Sequence, residues 1–231
     1  MAPTSNSENT MESESQFKDF SVSAARPLPV ILLADVSGSM SVNGKIEALN
    51  QAVGDMLETF GDEDDLRAEI HAAVITFGGD AQVHTPLTPA KELKWTNMSA
   101  GGGTPMGRAM ELAAEMINDK GAIPSRAYRP TVVLVSDGQP NDAWETGLQK
   151  LCKEGRPSKA DRMALAIGAD ADEAMLRKFL GNPEKPIYRA DDARRIRQFF
   201  EFVTMTVTTR SRSVNPNQVA SLPDPFDLEE F

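Results

Sequence analysis

Five oxygen-bearing side chains stand out along this chain. Asp35 is followed at alternate positions by Ser37 and Ser39, Thr104 ends the run Gly101-Gly102-Gly103-Thr104, and Asp137 lies in Val135-Ser136-Asp137-Gly138. Carboxylates and hydroxyls are the ligands hard divalent cations prefer, so the set suits Mg²⁺, with Mn²⁺ and Ca²⁺ as alternatives. The alternating Asp35, Ser37, Ser39 spacing lets one turn aim three side chains inward. Such a set does not saturate an octahedral ion. One position is left for water or for an incoming oxygen, and a carboxylate is the natural candidate.

Each piece also has a plain structural alternative. Ser39 is a suitable cap for the helix that follows, Thr104-Pro105 is a good N-cap and first-turn pair, and Asp137-Gly138 fits an ordinary turn. Their joint placement decides between the readings. All three segments follow the right strands or precede the right helix, and context of that kind confirms a motif.

The elements that must position these residues alternate along the chain. Strands are predicted at Val30–Ala34, Arg67–Phe77, Ala81–Thr85, Thr131–Ser136, Arg162–Ile167 and Ile187–Arg189. Helices are predicted at Lys45–Phe60, Pro105–Asp119, Asp142–Cys152, Asp172–Phe179 and Ala193–Thr208. The second and third strands flank Gly78-Gly79 and form a hairpin. The class is α/β: a Rossmann-like, doubly wound, mostly parallel six-stranded sheet with one short antiparallel edge strand and helices on both faces. In the order 3-2-1-4-5-6 the first and fourth strands are neighbours. Asp35 and Asp137 then meet at the carboxyl edge, where open α/β sheets bind ligands.

Residues 1–26 are polar and read as a disordered tail in which Phe17 and Phe20 are possible anchors, 27–209 as the folded domain, and 210–231 as a flexible C-terminal tail. The net charge of -10 argues against a nucleic-acid partner. No apolar run spans a bilayer and the N-terminus has no secretory h-region, so a cytoplasmic protein away from membranes is expected. The chain has 1 cysteine and 2 histidines, which argues against a thiolate–imidazole Zn site. His71, His84 and Cys152 read as structural, Trp95 as either core or rim of the metal face, and Asn141 and Asp142 as residues that shape that rim.

The motif Asp35-Val36-Ser37-Gly38-Ser39-Met40, with Thr104 and Asp137 downstream, resembles the von Willebrand factor A (VWA) domain and its metal-ion-dependent adhesion site (MIDAS). The resemblance covers about Pro27 to Thr209, and all five motif positions match. The closer likeness is to small bacterial VWA proteins of the TerY-like, tellurite-resistance type. It is carried by Leu28-Pro29-Val30, by Ala100 to Gly107 and by Ser136-Asp137-Gly138-Gln139-Pro140-Asn141-Asp142. The resemblance implies a bound Mg²⁺ ligated directly by Ser37 and Ser39, directly or through water by Thr104, and mostly through water by Asp35 and Asp137. It also implies partner binding rather than catalysis, in stress or tellurite-resistance signalling, with a kinase, a phosphatase or a tellurium-resistance protein as partner.

Two other functions compete. A Mg²⁺-dependent phosphohydrolase needs a nucleophile or base beside the ion, and Asp35 is the sole candidate. Neither a Gly-x-x-x-x-Gly-Lys-Ser/Thr loop nor a Gly-x-Gly-x-x-Gly turn supports it. A tail-regulated phospho-signalling adaptor would use the Ser/Thr-rich N-terminus, or place the acidic C-terminal end on the metal.

Overall fold

In a computed structural model that describes residues 25–218, Pro223 and Phe226, the apolar runs line up as one sheet in the order β3-β2-β1-β4-β5-β6. The strands are β1 (Arg26–Asp35), β2 (Ala68–Gly78), β3 (Asp80–Pro89), β4 (Thr131–Ser136), β5 (Asp161–Ile167) and β6 (Tyr188–Ala190). The helices are α1 (Lys45–Gly61), α2 (Met106–Asn118), α3 (Trp144–Cys152), α4 (Glu173–Leu180) and α5 (Ala193–Arg212). Among the described residues, only β2 and β3 pair antiparallel; the other ladders are parallel.

The period of two along β1 builds both layers. Leu28, Val30, Leu32 and Ala34 face a core shared with α1 and α5, while Ile31 and Leu33 face the core shared with α2, α3 and α4. Every one of these is buried, each contributing roughly 1.5–3 kcal/mol for a large aliphatic side chain. A strand covered on both faces has no polar alternation, and that is why Val30–Ala34 reads as a continuous apolar run.

Three boundaries differ from the expectation by more than two residues. β1 begins four residues before Val30, taking in Pro27 and Pro29, because its parallel ladder with β2 starts at Arg26; the prolines are tolerated since the ladder on the other side, with β4, starts only at Val30. The antiparallel edge strand β3 is not short: it spans 10 residues, with register shifts beside Val74 and prolines that an edge tolerates. α5 continues to Arg212, past the expected helix end at Thr208. The cause is Arg210, which is 1% exposed and donates to Pro216 O at 2.9 Å, to Arg129 O at 2.7 Å and to Thr131 Oγ1. Beyond it, the Phe226 ring lies 5.9 Å from Tyr188 and beneath the Arg195 guanidinium. Phe17 and Phe20, with the rest of residues 1–24, lie outside the described residues, as does most of the segment after 218. No helix among the described residues is long and apolar enough to cross a membrane.

Candidate metal centre

Parallel pairing places Ala34 beside Val135, so Asp35 and Ser136 emerge as neighbours at the carboxyl edge. Asp35 is fully buried. Its Oδ1 accepts from the Ser37 amide at 2.8 Å and its Oδ2 from the Ser136 hydroxyl at 2.6 Å. Burial pushes the Asp35 carboxyl above the usual carboxylate range, the hydrogen bonds from Ser136 and Ser37 oppose that, and the nearby Asp137 charge adds to it.

After Asp35 the chain turns through a short 3₁₀ segment, Gly38–Ser41, pinned by the buried Met40. This turn brings Ser37 Oγ within 3.0 Å of Ser39 Oγ. Ser39 Oγ then donates to Asp137 Oδ1 at 2.7 Å, 98 residues away in sequence. The other Asp137 oxygen accepts from Lys45 Nζ at 2.6 Å. The plain alternatives for Ser39 and Asp137 therefore fail. The Ser39 hydroxyl serves Asp137, α1 starts later behind Gly44, and the Asp137 carboxylate is engaged across the loop rather than within a turn.

Thr104 reaches the same edge through main-chain bonds. Gly101 N donates to Val36 O at 2.7 Å, Gly38 N to Gly102 O at 2.9 Å, and Gly79 N to Gly103 O at 3.1 Å. The loops after β1 and β2 and the glycine run are thus stitched together. Gly102 carries φ 76°, and a Cβ there would lie 2.4 Å from Gly79 Cα, so only glycine permits this approach. Thr104 is buried, and its carbonyl accepts from Met106 N at 2.8 Å and Asn141 N at 3.1 Å. The helix it precedes is capped from elsewhere: Asp142 accepts from Gly107 N at 3.0 Å and Arg108 N at 2.9 Å. The Thr104 hydroxyl is not spent on that cap.

All five sequence-predicted residues therefore gather at one edge of the sheet, on three loops. The structure adds two residues that sequence reading did not assign roles, Ser136 and Lys45, and gives Asp142, read there as shaping the rim, a specific one. Ser136 holds Asp35, Lys45 holds Asp137, and Asp142 fixes the Thr104 loop through α2. Ser136 was findable from strand register alone. Among the described residues, no cluster of three or more His, Cys, Asp or Glu side chains is placed to hold a metal. A cation here would rely on hydroxyls beside Asp35 and Asp137, and that all-oxygen, low-charge set suits a hard ion.

The remaining candidates sit elsewhere. His71 pairs with Glu69 at 2.9 Å, and His84 with the Thr96 carbonyl at 2.8 Å. Cys152 approaches Phe179 O at 3.5 Å behind α3. Trp95 packs on α1, where a Cβ on Gly54 would meet its ring at 3.3 Å. It walls a groove along that helix which none of the five site residues lines.

The comparisons with known proteins agree with this fold. The profile of the von Willebrand factor type A domain matches residues 30–202. Among solved structures, a von Willebrand factor type A protein from Catenulispora acidiphila superposes with a TM-score of 0.60 at 21% identity, over 79% of this chain and 43% of that one. Proximal thread matrix protein 1 from the mussel byssus, in a form with a zinc-occupied MIDAS motif, gives 0.59 at 18% identity over 80% and 46%. Manganese-loaded TRAP protein from Plasmodium vivax gives 0.54 at 19% identity over 74% and 71%. This chain thus spans under half the length of the first two, and likeness at these identities establishes the fold. No curated protein matches the chain. The profile match runs over most of the sequence and the sheet order accords with it: the chain belongs to the von Willebrand factor type A domain family.

Proposed function

We propose that this protein is a metal-dependent protein-interaction module. The observation that carries the reading is the line of oxygens Ser37–Ser39–Asp137, fixed beside Asp35 and Thr104 at the carboxyl edge of the sheet. Ser37 and Ser39 would hold a divalent cation directly, Thr104 directly or through water, and Asp35 and Asp137 mostly through water, with Mg²⁺ the expected ion. When bound, the ion supplies a Lewis-acidic point to which a carboxylate can attach. The protein's own residues do the rest. Ser136 aims Asp35, the glycine stitches hold the loops, and the open side of the site receives an acidic side chain from a partner.

A binding role fits better than hydrolysis. Asp35, the one candidate nucleophile, is buried and both its oxygens already accept hydrogen bonds. Zinc in the mussel protein's MIDAS motif and manganese in the Plasmodium protein support divalent-metal binding in this fold. We extend the reading to a cytoplasmic, TerY-like role in bacterial stress or tellurite-resistance signalling, on the strength of the motif-flanking residues Leu28-Pro29-Val30 and Gln139-Pro140-Asn141-Asp142. A kinase, a phosphatase or a tellurium-resistance protein is the partner to look for. Affinity purification with Mg²⁺ or EDTA, for wild type and for Ser37→Ala/Ser39→Ala, tests both levels. Partner recovery should need the metal and both serines. Equal recovery under all conditions would reject the interaction mechanism.

A further inference from the structure

Lys45 occupies an unusual place. It is the first residue of α1, where the helix dipole presents its positive end and cations are disfavoured. Its Nζ reaches Asp137 Oδ2 at 2.6 Å, a residue 92 positions later. The Asp137 side chain is 0% exposed and that of Lys45 21%, so the pair is largely shielded from water. The route to this contact is built into the backbone. Asn43 and Gly44 both take left-handed conformations, φ 57° and 70°, and turn the chain so that α1 starts facing the site. Helical side chains lean toward the helix N-terminus, which carries Nζ back over the loop.

We propose that Lys45 is a resident counter-cation of the metal centre and lowers its affinity for divalent ions by contesting the Asp137 carboxylate. This rests on the reading of the five oxygens as a metal site. The two Asp137 oxygens are both committed, one to Ser39 and one to Lys45. Ser39 can rotate its hydroxyl proton away and offer a lone pair to a metal. An ammonium has three protons and no lone pair, so toward a divalent ion it can only repel. Lys45 also neutralises part of the charge that Asp35 and Asp137 bring together, so the site keeps its shape as metal comes and goes. The result is a site that releases its ion readily.

Lys45→Met keeps the length of the side chain and removes the charge. Titration calorimetry of the full chain with Mn²⁺ and Mg²⁺ should show the variant binding at least about tenfold tighter than wild type, the low end of what one neighbouring charge does to a carboxylate's cation affinity. In EDTA the variant should melt below wild type, and Mn²⁺ should raise its melting temperature by more. On wild type, the rate at which an amine-acylating reagent modifies Lys45, read by mass spectrometry, should rise when Mn²⁺ is added; this arm does not depend on the variant folding. Binding by the variant alone would support the proposal. Equal or weaker binding by the variant, or an unchanged labelling rate in wild type that binds metal, would overturn it. Binding by neither protein would overturn the metal reading itself, and this inference with it.

Discussion

The hydroxyl of Ser136 donates to Asp35 Oδ2 at 2.6 Å across the seam between β4 and β1. The bond joins the first acidic residue of the site to the residue just before the second. It fixes the direction of a carboxylate whose pKa burial pushes up, and it opposes that shift. Removing it should matter twice. Ser136→Ala should cost about 1–2 kcal/mol of stability, because a buried acceptor loses a partner. It should also weaken divalent-metal binding by about tenfold, as losses of ligand-orienting partners do. Urea midpoints and calorimetric dissociation constants check the two effects separately.

Asp142 joins the Asp137 loop to the start of α2 by accepting from the Gly107 and Arg108 amides. Asp142→Ala should destabilise the domain by about 1 kcal/mol, the usual cost of a lost N-cap, while Asp142→Asn, which keeps one of the two acceptors, should recover part of it. Because α2 begins two residues after Thr104, the Ala variant should also bind Mn²⁺ more weakly. Thermal melts with and without Mn²⁺ report both.

Neighbouring glycines should behave differently. Gly102→Ala would force a left-handed φ of 76° and a contact of 2.4 Å with the backbone of Gly79, so a loss of more than about 2 kcal/mol is expected. Gly101→Ala meets nothing within 4 Å and should stay within about 0.5 kcal/mol of wild type. Denaturation curves of the two variants, measured side by side, provide the check.

Burial pushes the Cys152 thiol from about 9.0 up to about 11. The folded state therefore keeps this proton in a range where the unfolded chain has lost it. The stability linked to Cys152 is complete below pH 9 and falls as pH rises toward 11, by at most about 1.4 kcal/mol per pH unit. Comparing wild type with Cys152→Ala in urea at pH 8 and pH 10.5 isolates this slope: the gap between the two proteins should narrow at the higher pH. At pH 8 the folded protein should react slowly with a thiol reagent and rapidly once denatured.

The strands of the buried sheet were legible because each is an unbroken apolar run, and the order followed from alternation with helices. The five oxygen side chains were legible because hydroxyls and carboxylates beside loop glycines leave a local trace. What was hidden depends on distance along the chain. Nothing near Lys45 signals Asp137, and nothing near Asp142 signals the start of α2. Arg210 was read as the start of a polar tail because charge usually marks exposure. Its burial depends on carbonyls at Arg129 and Pro216 that only the folded chain assembles. The length of β3 was masked by Pro86 and Pro89, which look like strand breakers until the strand is known to lie on an edge.

The links among Val36, Gly38, Gly79 and the Gly101–Gly103 run are amide-to-carbonyl bonds that use none of the five oxygen side chains. The frame of this edge is therefore separable from its furniture. Conservative exchanges at Ser37, Ser39 or Thr104 can retune ion preference or abolish capture while the surrounding architecture stands, so such variants would make clean knock-outs in the cell.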